Sequence, residues 1–406
     1  MKKEMKKVPA IRFKGFTDDW EQRKYSNVIN LISGQDFEPS QYNENKEGIP
    51  YLTGASCIEN GHTVAVRWTQ TPRCIAEKGD TVLVCKGSGY GTIAVVDQEK
   101  AHIARQFMAV KAIDGEIDKA FNYYLLYSVI ESIKKDARGL IAGIARDAVL
   151  NQPVLIPNID EQVKIAHSLT NLDNLITLHQ RKSDQLKKLK AYFLQNLFPA
   201  KGEKVPKIRF KGFTGDWEQY KLSNIYGTIR NAFVGTASPY YVDKGHFYLE
   251  SNNVKDGHIN KNTQVYINDE FYFSQKDKWL HTGDIVMVQS GHVGHAAVIP
   301  ESLDNIAAHA LIMFQNQKIE TNPYFLNTEY QTDASKKQIE SITKGNTIKH
   351  ILASDMKNFM VMVPSLPEQQ AIATYFKNLD NLIAHNQRKL DALQTLKKYL
   401  LQNLFI

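Results

Sequence analysis

Two stretches of the chain, residues 161–198 and 368–405, place apolar side chains at a heptad-like spacing with no proline or glycine between them. In the first stretch the apolar positions are Ile165, Leu169, Leu172, Ile176, Leu186, Phe193 and Leu197. In the second they are Ile372, Phe376, Leu379, Ile383, Leu390, Leu393, Leu400 and Leu404. This spacing predicts two amphipathic helices, each about 55 Å long at about 1.5 Å per residue.

Stripes of this length predict that the two helices pair with each other. The connection from Pro199 to Lys204 is short, so the second helix has to run back along the first. We therefore predict an antiparallel coiled coil with one domain at each end; the alternative is that each helix packs on its own domain. The predicted seam and subunit-contact residues are Leu172, Ile176, Leu186, Leu379, Ile383 and Leu393. His179 and Asn386 lie near this seam, either buried to fix its register or hydrated at its edge.

Residues 29–156 and 226–363 contain short runs rich in Val and Ile, separated by turn residues, which is typical of buried strands. Strands are predicted over 81–85, 93–96, 285–288 and 296–299. Each pair of strands flanks a glycine-bearing loop, at Gly87–Gly91 and Gly291–Gly294, and matching Asn-Gly and Asp-Gly turns come earlier. We predict α+β domains with curved sheets. The glycine loops match no phosphate-binding pattern and are interpreted as tight connections close to a partner.

These elements occur twice because the chain repeats itself. Ile11–Thr17 and Ile208–Thr214 both read IRFKGFT, an offset of 197 residues. Glu161-Gln162 and Leu172-Asp173-Asn174-Leu175 recur at an offset of 207, as Glu368-Gln369 and Leu379-Asp380-Asn381-Leu382. A period near 200 residues indicates two whole domains of similar build. The stretches between the repeated blocks differ, so one scaffold carries two different domains.

The repeat also sets the predicted boundaries. They are a first domain over residues 1–156, a central helix over 157–199, a second domain over 200–363 and a C-terminal helix over 364–406. Residues 205–225 follow the first helix, so the equivalent residues 8–28 are expected beside the end of the second. This gives a circular, pseudo-two-fold organisation. Trp20 and Trp217 are interpreted as packing anchors within it.

Composition adds limits to this picture. The 406 residues are 43% apolar and 23% charged, which suits a globular protein with two cores. A net charge of +7 is compatible with a polyanionic partner. Three cysteines without disulfide or metal-ligand spacing indicate a reduced, cytoplasmic setting. We expect neither a signal peptide nor a membrane span, because no long apolar run occurs.

Polar and basic residues on the loops are the candidate DNA contacts. On and near the glycine loops they are Lys86, Ser88, Tyr90, Arg105, Gln289, Ser290, His292 and His295. Late loops add Arg138, Arg146, Lys344, Asn346 and Lys349. Such side chains read base edges in the major groove. Any one of them also fits an ordinary solvated loop, but together they favour DNA binding. The run Lys187, Lys188 and Lys190 is interpreted as a solvated helix face.

Catalytic motifs are missing from the sequence. It contains no H-E-x-x-H, no G-x-S-x-G and no cluster of metal ligands. Asn322-Pro323-Tyr324-Phe325 approaches the motif of adenine methyltransferases, but the second proline of that motif is absent. Proline at the first helical turn is the simpler account of this segment. The pattern favours a protein that recognises and positions while other proteins catalyse.

The order and repetition of these blocks resemble those of the DNA-specificity subunit of bacterial type I restriction–modification systems. The resemblance covers nearly the full length of the chain. It depends on the P-x-I-R-F-x-G-F opening at Pro9 and Pro206, the P-x-x-x-E-Q segments at Pro157 and Pro364, and two unlike domains between them.

The resemblance implies two target recognition domains that read the halves of an interrupted, asymmetric DNA sequence, with the helices as a ruler between them. It implies docking of two methyltransferase subunits, which bring S-adenosylmethionine, and of two restriction subunits, which use ATP and Mg. This chain is then non-catalytic and holds no cofactor or metal itself. The alternatives are a self-sufficient DNA methyltransferase or nuclease, and a coiled-coil adaptor without DNA specificity.

Overall fold

A computed structural model of the chain describes residues 8–87, 89–135, 143–345 and 349–406. They form two compact units. One unit contains the described residues up to Lys182 together with Asn386–Ile406, and the other is Ser183–His385. Each unit mixes helices and sheets, so the α+β class and the doubling are confirmed. Among the described residues, no helix is both long and apolar enough to cross a membrane.

The first unit is built on a mixed sheet. Its strands are Glu21–Lys24 (β1), Ile29–Ser33 (β2), Ile49–Leu52 (β3), Ile58–Glu59 (β4), His62–Thr63 (β5), Trp68–Thr69 (β6), Ile75–Glu77 (β7), Thr81–Val84 (β8), Ile93–Val95 (β9), Lys100–Ile103 (β10), Phe107–Ala112 (β11) and Pro153–Ile156 (β12). Its helices are Lys119–Lys135 (α1), Arg146–Leu150 (α2) and the first part of Ile159–Asn196 (α3). The main sheet has the order β2-β11-β8-β9-β5-β4, a smaller one has β6-β3-β10-β7, and β1 pairs with β12.

The second unit repeats this plan. Its strands are Glu218–Lys221 (β13), Tyr226–Asn231 (β14), Tyr241–Val242 (β15), His246–Leu249 (β16), Val254–Lys255 (β17), His258–Ile259 (β18), Val265–Ile267 (β19), Ile285–Val288 (β20), Ala296–Val298 (β21), Ala307–Ala308 (β22), Leu311–Gln317 (β23) and Met360–Val363 (β24). Its helices are Leu222–Ile225 (α4), Asp269–Ser274 (α5), Pro323–Glu329 (α6), Asp333–Ile342 (α7), Ala353–Met356 (α8) and part of Leu366–Asn403 (α9). The sheets have the orders β14-β23-β20-β21 and β15-β19-β16-β22, with ribbons β13-β24 and β17-β18.

The central strands are buried on both faces, which explains their unbroken apolar sequence. In β8, Leu83 belongs to the core that contains α1, whereas Val82 and Val84 belong to a second core on the other face. In β20, Ile285 and Met287 belong to one core, and Val286 and Val288 belong to another core on the opposite face. The predicted strands are confirmed, and three of the four end one residue earlier than predicted.

The two long helices pair antiparallel within each unit, as predicted. Both contain 38 residues. In the first unit Lys397 Nζ lies 2.6 Å from Asp173 Oδ1, and in the second Lys190 Nζ lies 2.7 Å from Asp380 Oδ1. Residues later in one helix therefore meet residues earlier in the other. The interpretation of Lys190 as a solvated side chain is wrong, because its ammonium group is mostly buried in this ion pair.

The predicted seam residues are all at least half-buried. Leu172 and Leu379 are buried, while Ile176, Leu186, Ile383 and Leu393 are half-buried. Asn386 is 3% exposed and contacts the half-buried His179, so the buried interpretation is confirmed for Asn386.

The repeated blocks meet in the same way in both units. The Arg12 guanidinium donates to both carboxylate oxygens of Glu161, at 2.8 and 2.7 Å. Arg209 donates to Glu368 at 2.7 Å for each oxygen. The main chain repeats the match: Ile11 N donates to Asn403 O, and Ile208 N donates to Asn196 O. The expected position of residues 8–28 beside the end of the second helix is thereby confirmed.

The glutamine after each of these glutamates contacts the start of a shorter helix of the same unit. Gln162 Oε1 accepts from Asp118 N, just before α1, and Gln369 Oε1 accepts from Asn322 N, both at 2.8 Å. Asn322 caps α6, since its side chain accepts from two amides of the first turn and Pro323 follows it. The interpretation of this segment as a helix start is confirmed.

The two tryptophans are buried anchors, as predicted. The Trp20 ring lies with its centroid 6.2 Å from Phe121 and 6.4 Å from Phe405. The Trp217 ring contacts Phe325 and Phe198 at 5.7 and 5.8 Å. Each tryptophan thus packs between a phenylalanine just after the end of a long helix and a phenylalanine of α1 or α6.

Candidate nucleic-acid interface

The glycine loops join antiparallel strands of the main sheets. One joins the central strands β8 and β9, and the other joins β20 to the edge strand β21. Gly91 and Gly294 have positive φ values of 90° and 87°, which glycine adopts readily. A Cβ atom on Gly294 lies 2.9 Å from Ile339 Cγ2, and one on Gly91 lies 2.9 Å from Lys134 Cδ. The close approach at these two glycines is to a side chain of the same unit, and the expected closeness of the loops to a partner stays a prediction.

The structure brings the glycine loop and the late loop of each unit together. In the first unit Lys86 forms a β-bridge with Gly143. In the second unit Ser290 forms one with His350, and Gly291 N donates to Lys349 O at 3.1 Å. These contacts join loops that are far apart in the sequence. In each unit, the described residues of the glycine loop and the late loop therefore form one composite surface.

In the first unit the predicted residues differ in how much they are held by the protein. Lys86 is exposed, and Arg105 is largely exposed with its Nε 2.7 Å from Asp36 Oδ2. Tyr90 is half-buried, with Lys134 Nζ 5.4 Å from its ring centroid. Ser88 and Arg138 lie outside the described residues.

Arg146 is committed to the fold of the first unit. Its Nη1 donates to Ser33 Oγ at 2.8 Å and its Nη2 donates to Leu31 O at 2.9 Å. Both acceptors are on β2, so the guanidinium ties the start of α2 to the edge of the main sheet. This geometry favours a structural role, and a DNA contact through the remaining N–H donors stays a prediction.

In the second unit the composite surface encloses a cavity of about 470 Å³. Its polar lining residues are Asp256, His292, His295, Gln331, Lys336, Glu340, Thr343 and Lys349. Three of the predicted residues, His292, His295 and Lys349, are therefore neighbours. Lys336 and Glu340, on α7, were not predicted, because they lie in a helix with no turn or glycine signal.

The other predicted residues of the second unit lie along the same loops. Burial lowers the pKa of His295, and Asp256 only partly offsets this, so the imidazole is favoured in its neutral form. Asp256 N donates to His295 Nδ1 at 3.1 Å, which leaves the ring proton on Nε2. Gln289 and Ser290 are half-buried, and Lys344 Nζ lies 3.1 Å from Asp355 Oδ2. Asn346 lies outside the described residues.

A further set of residues was missed by the sequence analysis. The long helices expose several large apolar or aromatic residues, and some of these recur at an offset of 207. One such pair, Ile159 and Leu366, starts the two helices. Three further pairs lie inside them, namely Leu175 and Leu382, Leu189 and Leu396, and Tyr192 and Tyr399. We call these three inner pairs the duplicated exposed residues. Their recurrence was the available signal, but exposure cannot be read from a heptad pattern alone.

No group of three or more His, Cys, Asp or Glu side chains is placed to hold a metal ion in the part of the chain that the structure describes. The arrangement offers hydrogen-bond donors and positive charge on loops held by rigid strands. Those are the groups that contact phosphates and base edges.

Comparisons with known proteins agree with this geometry. The family model described as type I restriction modification DNA specificity domain matches residues 17–188 and 214–395. The type I restriction enzyme MjaVIII specificity subunit of Methanocaldococcus jannaschii is 24% identical over 397 residues, covering 94% of this chain and 91% of the relative. The EcoBI specificity subunit of Escherichia coli is 20% identical over 378 residues, covering 89% and 79%.

Among solved structures, the type I restriction–modification S subunit from M. genitalium superimposes with a TM-score of 0.63. The match covers 98% of this chain and 99% of that one, at 16% identity. At this identity the likeness shows a shared fold.

Proposed function

The chain belongs to the family described as the type I restriction modification DNA specificity domain, and we propose that it is the subunit through which such a system recognises DNA. The observation that carries the proposal is the pairing of a glycine loop with a late basic loop in both units, on a repeated frame. Because the loop residues differ between the units, each reads a different half of an interrupted, asymmetric target.

We name the variable segments the first reading lobe, residues 29–156, and the second reading lobe, residues 226–363. In the first, Lys86, Tyr90 and Arg105 contact DNA, and in the second the contacts come from the loops that carry Gln289 and Lys349. Lysines and arginines on exposed loops bind phosphates, while the amide, hydroxyl and imidazole groups between them reach base edges.

The long helices set the number of base pairs between the half-sites. Each helix of 38 residues is about 57 Å long at about 1.5 Å per residue. Half-sites on one face of B-DNA are about 34 to 36 Å apart for each helical turn. Insertion of seven residues into both helices therefore widens the gap or abolishes binding, and an unchanged gap contradicts the ruler.

The duplicated exposed residues are the docking positions for two methyltransferase subunits. Single exposed apolar residues are common on protein surfaces, but the recurrence of the same three residues on both helices supports docking and supplies one equivalent set for each partner copy. Restriction subunits complete the complex. S-adenosylmethionine, ATP and Mg are bound by the partner subunits, and this chain, in the bacterial cytoplasm, is non-catalytic.

The test is an exchange of one reading lobe. Replacing residues 226–363 by the corresponding lobe of a relative, in the complex with methyltransferase subunits, changes one half of the methylated sequence and leaves the other half. The reciprocal exchange of residues 29–156 is the matched control and changes the other half. A change of both halves in either exchange contradicts the proposal, as does methyl transfer by the purified chain alone with S-adenosylmethionine.

A further inference from the structure

One carboxylate of the first unit contacts both the opposite long helix and the reading lobe. Asp173, on α3, accepts Lys397 Nζ of α9 at 2.6 Å through Oδ1. Its Oδ2 accepts the Tyr124 hydroxyl at 2.8 Å, and Tyr124 is on α1 of the first reading lobe. Asp173 therefore joins three helices: its own helix α3, the paired helix α9, and α1 of the first reading lobe.

The equivalent carboxylate of the second unit makes the same kind of junction. Asp380 Oδ1 lies 2.7 Å from Lys190 Nζ on α3, and Asp380 Oδ2 lies 3.4 Å from His258 Nε2 in the second reading lobe. His258 starts β18, directly after the turn that contains Asp256. Because Asp256 N donates to His295, this junction leads from the long helices to the predicted DNA-reading loop.

The repeat accounts for what the two junctions share and for how they differ. The aspartates and the lysines recur at the offset of 207, so the contact across the helices is built twice from the same residues. The lobe partners differ because the lobes differ. In the first unit the histidine at the matching turn, His62, pairs with Asp97 of its own lobe instead.

The two junctions also differ in strength. The Tyr124 side chain is 3% exposed, and a short hydrogen bond from a buried hydroxyl to a carboxylate is among the stronger ones in proteins. The His258 contact is longer, and the imidazole is 60% exposed, so solvent screens it. Burial alone raises the pKa of Asp380, but His258 and Lys190 outweigh it and lower that pKa, so the group is ionised at neutral pH.

We propose that Asp173 and Asp380 are positioning residues that fix the angle of each reading lobe against the paired helices, and thereby restrict the target to one gap length. The proposal rests on the proposed function, because it concerns the separation of the half-sites. A helix pair can act as a ruler only if the lobes do not swing on it. The side chains that stop such a swing are those that contact helix and lobe at once.

The test sequences the duplexes that the full chain, assembled with its methyltransferase subunits, selects from a random DNA library. The wild-type complex selects two half-sites at one gap. Tyr124→Phe removes only the hydroxyl that Asp173 accepts. We expect the same bases in both half-sites, with the preference for the native gap over gaps one base pair longer or shorter reduced about tenfold. A purely structural role predicts weaker binding with an unchanged gap.

Matched substitutions separate the junction from general effects. Tyr127→Phe removes an exposed hydroxyl one turn further along α1 and keeps the ring, whose centroid lies 5.9 Å from Lys397 Nζ. Asp391→Asn neutralises an exposed carboxylate of α9 that accepts from Gln387 of the same helix. Both keep the native gap. In the second unit, Asp380→Asn and His258→Ala each reduce the preference for the native gap by at most about fivefold. His258→Gln retains a hydrogen-bond donor at the same place, so the preference for the native gap stays closer to that of the wild type than in His258→Ala.

The outcomes distinguish the two proposals. If the wild-type complex selects no bipartite sequence, the proposed function fails. If it selects one, and both Tyr124→Phe and Asp380→Asn keep a single gap, only the positioning role fails. New bases at a half-site also overturn that role, because they place the effect in the reading loops. Asp380→Asn changes a mostly buried group in the other unit, so one misfolded variant leaves the test intact.

Discussion

His179 Nδ1 donates to Asn386 Oδ1 at 2.8 Å, while Asn386 Nδ2 donates to the carbonyl of His179 at 2.8 Å. The two residues occupy the same place in the repeat, so each long helix contacts its own counterpart through a polar pair. Because the amide nitrogen of Asn386 is a donor, its oxygen is the acceptor and the imidazole proton is on Nδ1. A buried polar contact of this kind is satisfied in one register of the two helices only.

We expect Asn386→Leu to lower the free energy of unfolding by about 1 kcal/mol, since the half-buried imidazole N–H of His179 then lacks its acceptor. The double substitution His179→Leu with Asn386→Leu recovers most of this loss, because neither polar group remains. Chemical denaturation of the full chain measures both. A double variant that is no more stable than Asn386→Leu contradicts the coupling.

The repeated arginine–glutamate pair is the second expected source of stability. Glu161 is fully buried, so Arg12→Met leaves an unpaired buried carboxylate and costs about 3 kcal/mol. Arg209→Met has the same effect in the second unit through Glu368. Calorimetric unfolding compares them with Arg23→Met, which breaks a more exposed pair with Glu116 and costs less than about 1 kcal/mol. Equal losses for Arg12→Met and Arg23→Met contradict this ranking.

The doubled elements could be predicted from the sequence because repetition reports structure directly. Two blocks that recur at different offsets have to serve the same local contact twice, and the Arg12–Glu161 and Arg209–Glu368 pairs are that contact. The long helices and the central strands were predictable because their apolar spacing follows the geometry of the element.

The candidate site was predictable only as a set of loops. The meeting of Lys86 with Gly143, and of Ser290 with His350, is long-range and leaves no periodic signal. Arg146 has the residue type of a DNA contact, but its partners on β2 can be identified only in the folded chain. Exposure of the duplicated residues depends in the same way on which side of each helix its partner covers.

Glu329 gives the second unit a pH-dependent stability. The side chain is buried, its Oε1 accepts from Met362 N at 2.7 Å, and burial raises its pKa from 4.5 to about 8. A raised pKa means that the folded state binds the proton more tightly than the unfolded state. The contribution of protonated Glu329 to the free energy of unfolding is therefore fully present below pH 4.5. It is lost as the pH rises towards 8, with a slope of up to about 1.4 kcal/mol per pH unit.

We expect Glu329→Gln to remove this slope and to stabilise the chain at pH 8. Glu329→Leu is the matched variant, because the first unit has a leucine at the equivalent position. Leu125 follows Phe121 by four residues, as Glu329 follows Phe325. Denaturation curves at several pH values measure the difference between variants and wild type. A difference that does not grow between pH 5 and pH 8 contradicts the assignment.

Lys86 and Lys349 are expected to contact phosphates. Replacing either by alanine weakens binding to cognate and random duplexes alike, and lowers the slope of log affinity against log salt by about 1. Lys187→Ala, at an exposed position of α3, is the control and leaves the salt slope unchanged. Arg146→Ala lowers the thermal stability of the chain and leaves the salt slope unchanged. Titrations at several salt concentrations, followed by fluorescence anisotropy, measure the slopes.

Partner docking can be tested one side at a time, because the duplicated exposed residues supply one set for each methyltransferase subunit. Leu189→Asp and Leu396→Asp each place a carboxylate in one apolar contact, where it has to be desolvated without a partner. Each single variant therefore binds one methyltransferase subunit instead of two, and the double variant binds none, as light scattering after size-exclusion chromatography measures. Lys389→Asp, at an exposed polar position of α9, introduces the same group and keeps two subunits. If the double variant still binds two, the methyltransferases dock elsewhere on the chain.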